Sequence, residues 1–248
     1  MKAAQGDLTL PSPSSGSAFM PFLLPLIVLV VSCGLPSVPY LHPPSDFDVS
    51  PSSIKITNNM ENFQASEGSD QSYRGLEIYY HAYESPSAAA IAHSQLENLA
   101  SSYEKSSSSY IKIVTGTTYK FKRLRNANFD SPALIPVVNP ALPVSYYINI
   151  SQTGFWRITD DNNVHFPSGD TGLSSIIRNV ANRVPANPGF HAMDFQSGDE
   201  DYTGSSLPST VYILMFGVSY GLDPMTIGVP IYSAPLLDPD VIVYSSAG

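Results

Sequence analysis

Tyr73-Arg74-Gly75-Leu76-Glu77-Ile78-Tyr79-Tyr80-His81-Ala82-Tyr83 alternates with a period of two. Leu76, Ile78, Tyr80 and Ala82 fall on one side, and Glu77, Tyr79, His81 and Tyr83 on the other. Such alternation, rich in aromatic residues, predicts a half-buried strand. Val211 to Val218 is apolar on both faces, as a central strand is. Shorter strand patterns lie at Ile54–Thr57, Val144–Ile150, Phe155–Thr159, Val164–Phe166, Ile227–Tyr232 and Val241–Tyr244. Turns at Thr153-Gly154 and Asp160–Asn163 would join the middle ones into a meander. Tyr110–Val114 and Thr118–Leu124 read as two strands around Gly116, or as one strand preceded by a bulge.

One helix is well marked. Ser85 is its N-cap and Pro86 its first helical residue. Ala89, Ala92, Leu96, Leu99 and Tyr103 then recur at three and four residues, giving an apolar stripe. Leu173–Val184 predicts a second, short helix on Leu173, Ile176, Ile177 and Val180. Asn58–Ser72 and Asn187–Ser209 read as loops, and Pro132, Pro136, Pro140 and Pro143 mark an irregular stretch covering a sheet edge. Many strands at short intervals with one long helix predict a mainly β domain, an antiparallel β-sandwich or barrel with a helical insertion.

The ends of the chain bound its setting. Phe19–Val31 is apolar apart from Pro21 and Pro25 and spans 13 residues, where a membrane-crossing helix takes about 20. This suits the core of a secretory signal. It ends in Val30-Val31-Ser32-Cys33-Gly34, with the only cysteine of the chain. A buried cysteine in a core strand is the plainer alternative, but Pro21, Pro25 and Pro36 oppose a strand. Residues 33–53 hold Pro36, Pro39, Pro43, Pro44 and Pro51 and read as a polyproline II spacer, unless Tyr40 and Leu41 fold back onto the domain. The expected organisation is therefore 1–32 signal peptide, 33–53 cysteine and tether, and 54–248 β domain.

Cleavage before Cys33 leaves 216 of the 248 residues, and loss of Lys2 with Asp7 keeps the net charge at −9. A domain of this size buries a full core without disulfides, here with 15 Tyr and 11 Phe to fill it. The acidity excludes nucleic acid as a general partner, since phosphate binding needs a basic footprint. Charge is nevertheless uneven. Lys112, Lys120, Lys122, Arg123 and Arg125 cluster, whereas no Lys or Arg follows Arg183 and Asp194, Asp199, Glu200, Asp201, Asp223, Asp238 and Asp240 do. The expectation is a solvated surface whose two parts attract within the fold, with a face that docks a charged partner or headgroup as the alternative.

Val30 to Gly34 resembles the lipobox of bacterial lipoproteins, in which the cysteine thiol is diacylglycerylated and becomes the new amino terminus after cleavage. Tyr73–Tyr80 resembles the third strand of fibronectin type III domains, and Tyr212–Tyr220 followed by Ile231–Pro235 resembles their last two. Together with Cys33-Gly34-Leu35-Pro36 and Val38-Pro39-Tyr40-Leu41, the chain is similar to lipoproteins of spirochaetes that have no assigned activity. The resemblance covers the tether and about the first and last thirds of the domain. It implies an immunoglobulin-like sandwich, lipid attachment at Cys33, and a place in the cell envelope on the periplasmic or surface side. The partners it implies are the membrane, through the lipid, and an envelope or host protein. Two or more acyl chains hold a protein to a bilayer where one binds marginally.

Three stretches could carry chemistry. Gly217-Val218-Ser219-Tyr220-Gly221 has the spacing of the hydrolase nucleophile elbow, behind an apolar strand. The elbow needs a following helix and a later acid and histidine. Pro224, Pro230 and Pro235 oppose the helix, and His191 is the last histidine. A serine hydrolase using Ser219 is thus the alternative to a non-enzymatic binding or scaffolding module. Asp199-Glu200-Asp201-Tyr202-Thr203-Gly204 copies the first half of an EF-hand loop, but position twelve is Thr210 in place of a bidentate Glu. A weak calcium site near Asp199, with Asp194, stands as the alternative to a solvated loop. His42, His81, His93, His165 and His191 lack helical metal-ligand spacing, so no metal or cofactor is expected. Tyr79, His81 and Tyr83 form either an aromatic binding surface or ordinary packing.

Overall fold

The computed structural model describes residues 40–64, 73–102, 107–126, 133–136, 143–150, 156–160, 176–180, 189–223, 226 and 228–245. In chain order its elements are β1 (Asp46–Val49), β2 (Ser53–Thr57), α1 (Glu61–Gln64), β3 (Tyr73–Tyr83), α2 (Pro86–Ser102) and α3 (Ser107–Val114). There follow β4 (Lys122–Arg123), β5 (Arg125–Asn126), β6 (Ile135–Pro136), β7 (Ser145–Asn149), β8 (Arg157–Asp160), β9 (Ile176–Ile177) and a 3-10 turn at Ala192–Asp194. The chain closes with β10 (Tyr202–Thr203), β11 (Thr210–Leu222), β12 (Pro230–Tyr232), β13 (Leu236–Leu237) and β14 (Ile242–Ser245). The protein is mainly β, with antiparallel sheets and one main helix.

Its centre is the antiparallel pair β3 and β11, in register from Tyr83 opposite Tyr212 to Gly75 opposite Tyr220, with a bulge beyond. Each outer edge of this pair is covered by short segments. β6, β4 and the parallel β10 line β3, while β14, β13 and β12 line β11. Covering long edges this way removes exposed ladders that would template aggregation. The proline-marked stretch supplies β6, as expected of an edge cover. Gly75 lets β6 approach: at its φ of 149°, an added Cβ would stand 2.2 Å from the Ile135 carbonyl oxygen. A second sheet runs β1-β2-β7-β8, antiparallel throughout, and β5 pairs with β9 apart from both.

The alternation in β3 sends its side chains into two cores. Leu76, Ile78, Tyr80 and Ala82, with Val211, Ile213 and Met215 of β11, pack with Phe47, Val49, Ile54, Ile56, Ile148 and Ile158 of the second sheet. The opposite face, with Tyr79, Tyr83, Leu214, Phe216 and Val218, packs under Ala89, Ala92 and Leu96 of α2 and Tyr110, Ile111 and Val114 of α3. Period two thus placed β3 correctly, but the expected half-burial is corrected: from Gly75 to Tyr83 the strand is buried on both faces because the helices cover the second. The sheets meet closely at Gly217, where an added Cβ would lie 2.8 Å from Ile56 Cδ1 and 2.9 Å from Phe47 Cδ2. Gly217→Ala should therefore lower stability by about 1–2 kcal/mol through overpacking. An unchanged urea midpoint would show that the sheets have room to part.

The α2 helix follows its sequence signals. Ser85 Oγ accepts a long hydrogen bond, 3.4 Å, from the Ala88 N–H, and Ala89, Ala92 and Leu96 form the buried stripe with Leu99 packed beside it; Tyr103 lies outside the described residues. The strand expected over Tyr110–Val114 is instead α3. Tyr110, Ile111 and Val114 make one helical face, and the Tyr110 ring meets Phe216 edge-on at 5.6 Å. The helix expected within Leu173–Val184 is likewise corrected. Ile176 and Ile177 pair as β9 with Asn126 and Arg125, and the β-branched pair is buried in that extended form. Thr118–Leu124 yields only β4.

Strands expected at Ile54–Thr57, Val144–Ile150 and Phe155–Thr159 appear as β2, β7 and β8, and the last two apolar stretches supply β12 and β14. The Thr153-Gly154 turn, most of the Asp160–Asn163 turn and the Val164–Phe166 strand lie outside the described residues. Residues assigned to the spacer enter the domain from Leu41 onward. Leu41 is buried, Asn62 brackets the His42 backbone with bonds of 2.7 and 2.9 Å, and Phe47 and Val49 alternate into the core from β1.

Candidate functional site

The acidic loop after the 3-10 turn folds over a guanidinium. Arg178, directly after β9, is fully buried, as is Asp201; Asp199 is nearly so. Arg178 Nε and Nη2 donate to the two Asp201 oxygens at 2.9 and 2.6 Å, Nη2 also to Asp199 at 2.8 Å, and Nη1 to the Asp194 carbonyl at 2.8 Å. The guanidinium lies over the Phe195 ring, 3.7 Å from its centroid. Tyr80 of β3 donates to Asp201 at 2.6 Å and accepts from the Asn179 N–H at 2.8 Å. Burial works against the Arg178 charge, but the hydrogen bonds and field of Asp201, with those of Asp199, more than offset it and hold its pKa above the usual value. Burial raises the Tyr80 phenol well above 10, and the Asp201 charge adds to this.

The calcium reading concerned these same carboxylates. Asp199 and Asp201 are turned onto Arg178, and Glu200 onto Lys122 at 2.5 Å. Asp194 accepts from the His191 N–H as part of a capping box. No group of three or more His, Cys, Asp or Glu that could hold a metal ion occurs among the described residues. The Lys122–Glu200 pair also joins the basic cluster to the acidic one, the expected attraction within the fold.

Beside this cluster opens a cleft of about 380 Å³. One wall is the turn after α3, with Thr115, Gly116, Thr117 and Lys120; the other is the acidic loop, with Gly198, Asp199, Glu200 and Tyr202. His81 of β3 ties the walls together from beneath. Its Nδ1 lies 3.2 Å from the Lys120 carbonyl, and its Nε2 lies 2.9 Å from Thr203 Oγ1. A carbonyl only accepts, so Nδ1 carries the proton and Nε2 accepts from the Thr203 hydroxyl. Burial lowers the His81 pKa to about 4, which keeps this neutral tautomer.

A second buried charge lies on the helix-covered face. Glu77 accepts from Arg123 Nη1 at 2.8 Å and from the Tyr79 hydroxyl at 2.7 Å. Burial raises its pKa, against the lowering effect of Arg123. Tyr79, His81 and Tyr83 are packed beneath this layer; Tyr79 stacks on Phe216 and the His81 and Tyr83 rings touch. They are packing residues rather than an aromatic surface.

Ser219 lies inside β11, which continues to Leu222. It is fully buried; its hydroxyl accepts from Asn62 Nδ2 at 3.1 Å and its N–H donates to Ser233 Oγ at 2.8 Å. The strand-to-helix turn that exposes an elbow serine is missing here, and Gly217 instead serves the close approach of the sheets. Sequence reasoning passed over Arg178 and Asn62. The signal for Arg178 was one arginine directly after the apolar pair Ile176-Ile177, which suggests a buried cation in need of anions. Cys33 lies outside the described residues. Compared with protein-family models, with curated proteins and with solved structures, the chain matches none.

Proposed function

We propose that this chain is a lipid-anchored bacterial envelope protein whose β domain is a non-enzymatic binding or scaffolding module. The observation that carries the reading is Cys33. It follows a 13-residue apolar run, in the setting Val30-Val31-Ser32-Cys33-Gly34, ahead of a proline-rich stretch. A thiol placed there suits acylation, and a cleaved and acylated Cys33 would anchor the chain through at least two lipid tails. We take the two sheets sharing one core to be an elaborated immunoglobulin-like sandwich, with α2 and α3 added on its far side. The placement of Ser219 favours a non-enzymatic module over the hydrolase alternative, because a serine buried in mid-strand and occupied by Asn62 presents no nucleophile.

The anchor is tested in a bacterial host fed an alkyne fatty acid. The wild-type chain should take up the label and enter the detergent phase on phase separation. Cys33→Ala should lose the label and move to the aqueous phase. Partition of the variant with detergent would refute the anchor.

A further inference from the structure

The cleft between the turn after α3 and the acidic loop contains one positive charge too many. Its ionisable groups are Lys120, Lys122, Asp199 and Glu200. Asp199 is occupied by Arg178 and the Gln196 N–H, and Glu200 is paired with Lys122. The Lys120 side chain is exposed and makes no ion pair among the described residues. In a chain of net charge −9, this is a local positive site inside a concavity.

The backbone adds an independent observation. Lys120 has φ 58°, the left-handed region that glycine and asparagine occupy with less strain. The conformation is held from both sides: the Lys120 N–H donates to the Gly116 carbonyl at 2.9 Å, and its own carbonyl accepts from His81. Phe121, fully buried, pins the next residue. Strain maintained by its surroundings marks positions where the side chain is used. Here the side chain retained against that strain is an ammonium facing a cleft whose volume suits a small molecule.

We propose that this cleft binds a small ligand through one anionic group, a carboxylate or phosphate, held by the Lys120 ammonium with the Thr117 hydroxyl beside it. The inference specifies a ligand class for the binding module proposed above, and does not depend on the anchor. Two sources share the chemistry, a free metabolite and a lipid headgroup.

The test uses the full chain carrying Cys33→Ala, so that no attached lipid contributes, and compares Lys120 with Lys120→Asn. Asparagine tolerates the left-handed backbone and removes the charge. Glycerol 3-phosphate is titrated at constant ionic strength while the amide resonances of Gly116, Thr117 and Gly198 are followed. Flotation with phosphatidylglycerol vesicles is measured in parallel. Saturable shifts at these amides, weakened at least about tenfold by Lys120→Asn, support a soluble anion. Flotation that depends on Lys120, without those shifts, supports a headgroup. Absence of both, or binding equal in the two proteins, overturns the proposal. Lys120→Gly guards against a merely structural role: it should melt at a higher temperature than the parent yet lose binding as Lys120→Asn does.

Discussion

Arg178→Met is expected to destabilise the domain by about 3–5 kcal/mol, the cost of leaving buried charge without its partner. The variant keeps much of the apolar stem but removes every donor that holds Asp201, Asp199 and the Asp194 carbonyl. Two carboxylates would then face each other in a dry site, with Tyr80 the one remaining side-chain donor to Asp201. They would take up protons or draw in water, and the acidic loop would come loose from β3. Trp156 makes the measurement direct. It is the single tryptophan of the chain, fully buried, stacked on Phe190 at 3.9 Å, and its indole N–H donates to Tyr244. Its fluorescence follows urea unfolding of the core. A loss below about 1 kcal/mol, the range of an exposed pair, would mean that water reaches the cluster. Replacing Arg178, Asp199 and Asp201 together by apolar residues should recover part of the loss, because buried ion pairs resist breaking more than they add net stability.

The second large effect is a pH dependence. His81 has a folded pKa of about 4, against about 6.5 in an unfolded chain. Between those values the unfolded state binds more protons, so stability falls with falling pH. The contribution of neutral His81 is fully present above pH 6.5 and is lost as the pH drops through 4, by roughly 3 kcal/mol in all. Burial is the main cause; Lys120 and Lys122 add to the lowering, while the Lys120 carbonyl and the Asp201 charge oppose it. Glu77 acts with the opposite sign. Its folded pKa is raised by burial, so its contribution is greatest below the unfolded value and declines as pH rises through the folded one. Urea unfolding of wild type and His81→Gln at about pH 7 and pH 4.5 separates the two, since Glu77 is common to both proteins. The stability difference between them should shrink on acidification. If it stays constant, the His81 ring is not desolvated as its surroundings require.

Some of this was written in local sequence and some was not, for a physical reason. The period-two pattern of β3, the double-sided apolar run of β11 and the Ser85-Pro86 start of α2 each express a choice that neighbouring residues make together, through pleat, helical repeat and cap. They were legible for that reason. Tyr110–Val114 is short enough to suit a strand or a helix, and docking beside α2 on Phe216 decided it. Ile176-Ile177 was equally open until β5 offered an edge to pair with.

The second burial of β3 depended on helices that its own residues do not specify. The same holds for the polar centres. Asp199 and Asp201 look like the start of a cation-binding loop when read in order, and only folding brings Arg178 between them and Tyr80 beneath. Sequence alone determined the mainly β composition, the long helix and the setting of Cys33 on which the proposed anchor rests. Tertiary structure decided which charges are buried against one another and which ammonium remains exposed in a cleft. Those outcomes depend on distances between residues remote in the chain, and no local pattern encodes such distances.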